Sequence, residues 1–319
     1  MIAFVLRKVD WSALGALLAQ VHAGWALAGW AATSLLIAGL AFRWQIFLRQ
    51  QRIELPFSAI FSLTWAGQFF NSILPGSTGG DVVKIYQVCR LAPDRKAAAA
   101  ATVFVDRITA LIALLVIAGS AFVIDPAPLS FLPITSLSSR TIAGWFATFL
   151  LLAIIGAWLL YRPMRSTLWG GRLFRTLEAA KGHLSINRGF LAAILLSFAL
   201  HLINFSIAYF FARALGLSIS YLQILLMMPV VLFLVLLPIT INGHGLRELL
   251  LIGYFTQMNV TVGGQAPSSF REMAVAFSLV LVTNDLLWSI PGGLWYMARY
   301  RSSDQSAKEP GRPTISVER

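Results

Sequence analysis

Five long apolar runs constrain this chain more than any other feature of its sequence: residues 24–48, 97–124, 141–161, 189–212 and 273–298. A helix needs about 20 apolar residues to cross the hydrocarbon core of a bilayer, and each run supplies that length. Backbone polar groups find no water there, so a spanning run must close its hydrogen bonds within itself as an α-helix. Composition agrees, at 58% hydrophobic and 12% charged residues, far from the mix of a soluble domain. The expected fold class is all-α: a polytopic integral membrane helical bundle.

Two further apolar segments are broken. In 67–84, GQFFNSILPGSTGGDVVK, Pro75 removes a backbone donor and clashes with the turn before it. Gly76, Gly79 and Gly80 let the chain turn or approach a ligand closely. Asp81 sits where a helix restarts, and Lys84 follows one turn on. In 236–248, LLPITINGHGLRE, Pro238 is likewise followed by small polar residues, by Gly243 and Gly245, and then by Arg247 and Glu248. Irregular backbone at membrane depth is tolerated only when buried in protein or lining a watery cavity. Broken apolar segments at corresponding places in two halves are the sequence mark of a transporter binding site.

Segments 57–74 and 80–90 flank the first break, with Arg49, Arg52, Arg90, Arg95 and Lys96 around them. Basic flanks on both sides predict a re-entrant hairpin opening to the cytoplasm. Segments 221–240 and 246–257 flank the second break, where positive charge is sparse, and predict a hairpin opening outward. Segment 221–240 is itself long enough to cross, which would reverse the orientation of everything after it. The halves, about 24–124 and 189–298, then match as span, broken hairpin, span. This is an inverted-topology repeat within one transmembrane domain over 1–300, with 141–188 as connector.

Lys and Arg total 25 against 13 acids, a net charge of +12. In a membrane protein this is a topology signal and a means of holding anionic headgroups. The segment 162–188, with Arg162, Arg165, Arg172, Arg175, Lys181 and Arg188 against Glu178, is expected on a cytoplasmic leaflet. The stretch 125–139 has no Lys or Arg and reads as external. Residues 11–22 read as an interfacial helix, and 301–319 as a disordered, basic, cytoplasmic tail. No basic helix with interleaved aromatics stands apart from the spans, so nucleic acid is not an expected partner. Cys89 is the sole cysteine, and no Cys/His cluster has metal spacing, so no metal is expected. No cofactor is expected, and no Walker loop, H-E-x-x-H or G-x-S-x-G is present. Without an ATPase motif, any transport is downhill or coupled to an ion or to potential.

Charge inside a membrane costs a few kcal/mol per residue and is a functional hypothesis by default. The candidate substrate-binding residues are Asn71, Asp81, Lys84, Asp106, Arg107, Asn242, Arg247 and Glu248; Asp285, His201, Asn204 and Asn284 are further in-span polar groups. Asp106 and Arg107 are neighbours in sequence and do not share a helix face, nor do Arg247 and Glu248. Each is therefore expected to find its partner on another segment, most simply in a central cluster shared by both hairpins. Asp81 and Lys84 have the spacing of a local salt bridge. An arginine fork binds phosphate at two points. His201 is expected to bond between helices, a common use of polar side chains in membrane bundles.

WAGQFFNSILPGSTGGDVVKIYQVCR, AAATVFVDRITALIAL and LPITINGHGLRE, in this order, resemble the lysylphosphatidylglycerol synthase transmembrane region, also called the flippase-like family. The resemblance runs from about residue 5 to 300. It implies a multi-pass protein of the bacterial inner membrane that moves a lipid between leaflets, with membrane lipids of anionic headgroup as its partners. The matching positions are Asn71, Pro75, Gly79, Gly80, Asp81, Lys84, Asp106, Arg107, Pro238, Asn242, Gly245, Arg247 and Glu248. The aminoacyl-transferase domain of bifunctional members has no counterpart, so lysyl transfer is not expected. Family members commonly carry a span before the segment matching VDWSALGALLAQ; about nine residues stand there, so that span is either lacking or encoded upstream.

The leading expectation is a flippase for an anionic phospholipid or polyprenyl-phosphate-type lipid, and not an enzyme. The alternatives are a membrane-embedded lipid or glycan transferase, with an acid at a break as base, and a scaffold subunit of lipid synthesis. Homo-oligomers and lipid-synthesis proteins are left open as partners.

Overall fold

The computed structural model describes residues 11–73, 79–124, 188–236, 245–264 and 269–308. In chain order the helices are α1 (Trp11–Ala19), α2 (Ala23–Gln50), α3 (Phe57–Ile73), α4 (Gly79–Leu91), α5 (Lys96–Ile124), α6 (Arg188–Ala214), α7 (Tyr221–Leu236), α8 (Leu246–Gln257) and α9 (Phe270–Lys308). A single 3-10 turn, Pro93–Arg95, joins α4 to α5. The described residues contain no β-strand, only an isolated bridge between Leu217 and Val262. The fold is all-α, and among the described residues four helices are long and apolar enough to cross a membrane: Ala23–Gln50, Arg188–Ala214, the stretch Pro93–Ala121 and the stretch Phe270–Ala298.

Polarity in this bundle is inverted relative to a soluble one. On α2, Thr33, Arg43 and Gln45 are buried while Leu27 and Leu35 are 64% and 59% exposed. Lipid accepts the apolar side chains, and the polar ones must turn inward to find partners. Helices in such a setting associate through close packing at small residues. Gly39 of α2 lies against Leu200 of α6, and Gly29 against Phe211. Together with the Arg43–Ser197 bond and the His22 N–H donated to the Ala214 carbonyl at 2.8 Å, these pairs step in opposite directions along the two helices. The first long span of each half therefore packs antiparallel to the other.

The segments around the breaks are short helices. α3 has 17 residues, α4 13, α7 16 and α8 12. At 1.5 Å per residue these reach about 18–26 Å, less than the roughly 30 Å of the hydrocarbon core. Of segment 221–240, long enough by composition to cross, Tyr221–Leu236 is described as helix, and 237–240 lie outside the described residues. α3 and α4 fold back on one another as a hairpin. A Cβ on Gly80 would fall on the carbonyl of Gly67, so only glycine permits this crossing. Asn71 fixes it further, its Oδ1 accepting the Gly80 N–H at 2.8 Å. The freedom expected at Gly80 for close approach to a ligand is used for approach to the neighbouring helix instead. Gly292 and Gly293 play the same part where α9 crosses Trp65 and Phe69 of α3.

α9 continues to Lys308, eight residues into the segment expected as a disordered tail. The span 141–161, the basic segment up to residue 187, the external stretch 125–139 and the end of the chain lie outside the described residues.

Candidate functional site

The first charged centre forms where α2, α4, α5 and α6 meet. Arg43 of α2 and Asp106 of α5 are 3% and 5% exposed. Their contact is a two-pronged fork: Nε donates to Oδ1 at 2.7 Å and Nη2 to Oδ2 at 3.2 Å. Arg43 Nη1 also donates to Ser197 Oγ of α6 at 3.1 Å. Such charge-assisted bidentate pairs combine strength with fixed geometry. Beside it, Trp44 is fully buried and donates its Nε1–H to Thr102 at 3.0 Å.

Lys84 of α4 enters this centre from the hairpin. It is 8% exposed, its stem lies on Gly67, and its ammonium stands 4.2 Å from the Trp44 ring centroid. Among the described residues no hydrogen bond or ion pair engages that ammonium. A cation–π contact gives about 2 kcal/mol when desolvated, well short of the several kcal/mol that burying an ammonium costs. The charges of Asp106 and Asp81 both act on it from beyond ion-pair distance. One turn earlier on α4, Asp81 accepts from Arg107 Nε at 2.6 Å and Nη2 at 2.9 Å. That Arg107 side chain is 50% exposed.

A second centre joins α8 to α9. Gly245 holds φ 87°, a left-handed conformation open to glycine, and starts α8. The Glu248 carboxylate accepts the Gly245 N–H and the Ser278 hydroxyl. Ser278 in turn accepts Arg247 Nε at 2.9 Å. Arg247 Nη2 is 3.7 Å from Glu248 Oε1, and this buried nitrogen makes no hydrogen bond among the described residues. Asp285, two helical turns beyond Ser278 on the same face of α9, is surface-exposed near the middle of its span and feels the Arg247 charge. Its neighbour Asn284 is buried and donates to Thr33 of α2 at 3.0 Å.

Several sequence expectations now have locations. Asp106 and Arg107 do point apart and find separate partners on other helices. Asp81 and Lys84 do not pair locally: Asp81 turns to Arg107 and Lys84 inward to Trp44. Arg247 and Glu248, expected to part, are drawn together by Ser278. The single cluster expected to span both hairpins is instead two, with no hydrogen bond or ion pair between them among the described residues. His201 bonds between helices as expected, Nε2 donating to the Ala110 carbonyl at 3.0 Å. Pro75, Pro238, Asn242 and Gly243 lie outside the described residues. Sequence reasoning missed Arg43, which lies inside the first apolar run, and Ser197 and Trp44 with it. The available signal was that Arg43 has apolar residues on both sides, unlike Arg49 and Arg52. No group of three or more His, Cys, Asp or Glu converges to hold a metal among the described residues.

Membrane-length helices, inward-turned charge and short glycine-packed hairpins define a polytopic helical membrane protein. Residues 1–269 match the lysylphosphatidylglycerol synthase TM region, and the chain belongs to that family. Its role is accordingly tied to membrane lipid. No curated protein matches it in sequence.

Proposed function

We propose that the protein moves an anionic lipid between the leaflets of the bacterial inner membrane without altering it chemically. The observation that carries this reading is Lys84, a cation held deep among helices with an aromatic face beside it and no bonded anion among the described residues. A phosphate reaching Lys84 would supply the missing counter-charge. Arg43 stays committed to Asp106 and Ser197 and acts as a fixed positive wall. The Asp81–Arg107 pair, half-exposed, is the gate: Arg107 releases Asp81 to meet a phosphate and returns once it has passed. The α8–α9 centre offers a second cationic station, where Arg247 Nη2 has no hydrogen bond among the described residues. Two short broken hairpins in antiparallel halves fit alternating exposure of such stations to the two leaflets. Basic residues at the ends of α2 and α4 support a cytoplasmic side for those ends in this reading.

The test is a sidedness assay in proteoliposomes. Headgroup-labelled phosphatidylglycerol, cardiolipin and phosphatidylcholine are followed with an impermeant quencher, and the same lipids are weighed by mass spectrometry. Faster crossing of the anionic lipids, lost in Lys84→Met and Arg247→Ala and without a new lipid mass, is the expected result. No acceleration by the wild type ends the transport reading for the lipids tested. A new mass moves the weight to a transferase.

A further inference from the structure

A cleft of about 680 Å³ lies on the outer side of the hairpin, lined by Val82, Ile85, Tyr86, Cys89, Arg90, Pro93 and Lys96. It stands apart from the Lys84 centre, which occupies the opposite face of α4. Its walls are α4 and the start of α5, and its end is built by specific bonds. Cys89 Sγ donates to the Lys96 carbonyl at 3.3 Å, and Arg95 Nη1 donates to the Gln51 carbonyl at 2.8 Å. These join α4 to the start of α5 and the 3-10 turn to the end of α2, so the cleft is a fixed feature of the fold.

The lining is divided by chemistry. Val82 and Tyr86, 66% and 52% exposed, make an apolar wall toward the lipid. Arg90 and Lys96 gather at the turn, with the Arg90 guanidinium 5.8 Å from the Tyr86 ring centroid. Lys96 is also the first residue of α5. A site with cations at one end and a greasy wall along its length fits a molecule with the same division. Deeper along α5, Arg107 follows Lys96 by about three turns, some 16 Å, on the same face. Exposed Phe104 lies between them.

We propose that this cleft is a lateral binding site for one anionic phospholipid, its phosphate between Arg90 and Lys96 and one acyl chain along Val82, Ile85 and Tyr86. It deepens the transport reading, because it sets the lipid at the foot of a row of cations leading to Arg107 and Asp81. The binding site itself stands or falls independently of transport.

Cys89, the sole cysteine of the chain, lines the cleft and reports on it directly. The full-length protein in detergent micelles is treated with a maleimide, with phosphatidylglycerol or phosphatidylcholine added. Phosphatidylglycerol slows alkylation of Cys89 and phosphatidylcholine does not. In Arg90→Gln/Lys96→Gln the apparent affinity behind that protection falls on the order of tenfold or more, the effect of two interfacial cations. Arg90→Lys/Lys96→Arg restores it. Equal protection in the Gln variant, or no reaction of Cys89 even in phosphatidylcholine, overturns the site. Displacement of the lipid by equimolar glycerol phosphate overturns the lipid in favour of a free phosphate. Protection lost while transport in proteoliposomes continues at the wild-type rate removes the cleft from the route. Protection intact in a wild type that moves no lipid keeps this site and sinks the transport reading.

Discussion

At the scale of single residues, burial decides what each charge does. Arg43 and Asp106 have given up water for one another, so removing one partner strands the other. Arg43→Ala is expected to cost about 3–5 kcal/mol, the range for an orphaned buried charge. Arg43→Met with Asp106→Leu is expected to recover most of that loss, since a packed apolar pair avoids desolvation altogether. Thermal unfolding in detergent checks both, and a harmless Arg43→Ala would show that the pair is not buried as described. Gly80→Ala is expected to cost about 1–3 kcal/mol through overpacking on Gly67. Gly15→Ala on α1, where an added Cβ meets nothing within 4 Å, is the neutral control. The sequence marked Gly80 as special but not why, because its neighbour Gly67 is a residue of another helix.

At the scale of elements, the breaks are held by bonds that local sequence does not specify. α8 begins in a conformation that an L side chain resists. Gly245→Ala is expected to cost about 1–2 kcal/mol there and to raise hydrogen exchange at the first amides of α8. Unchanged exchange would mean that another residue sets the start of the helix. Ser278→Ala removes the hydroxyl that both Arg247 and Glu248 use, leaving buried groups unsatisfied at about 1–3 kcal/mol. Apolar run lengths made α2, α5, α6 and the start of α9 legible to within a few residues, because lipid enforces run length. The tail was misread over 301–308, where polar composition implied disorder and the helix of the preceding span simply continues.

At the scale of the whole molecule, the two long spans α2 and α6 run antiparallel and the buried charges collect in two centres. Stability and function are expected to part company at Lys84. Replacing a buried, unpaired ammonium by the similarly shaped Met removes a desolvation cost and is expected to raise stability by about 1 kcal/mol or more. The same change is expected to abolish transport of anionic lipid, a stability–activity trade-off typical of strained sites. Unfolding temperature and the sidedness assay, run on one preparation, check the two halves of this statement. Lys84→Met lowering stability would show that the ammonium is satisfied and not waiting for an anion.

The sequence by itself determined the membrane and the long helices that cross it. Each of these follows from one-dimensional facts, namely apolar run length, proline and glycine at the breaks, and the cost of charge in hydrocarbon. Only the tertiary structure decided which charge meets which. Asp81 chose Arg107 over Lys84, and Arg43 proved to be the partner of Asp106, because pairing depends on helix rotation and crossing. Those are fixed by small residues on different segments meeting one another. The same physics split the expected single cluster into two, each with a cation, Lys84 or Arg247, holding bonding capacity that no described acid fully takes up.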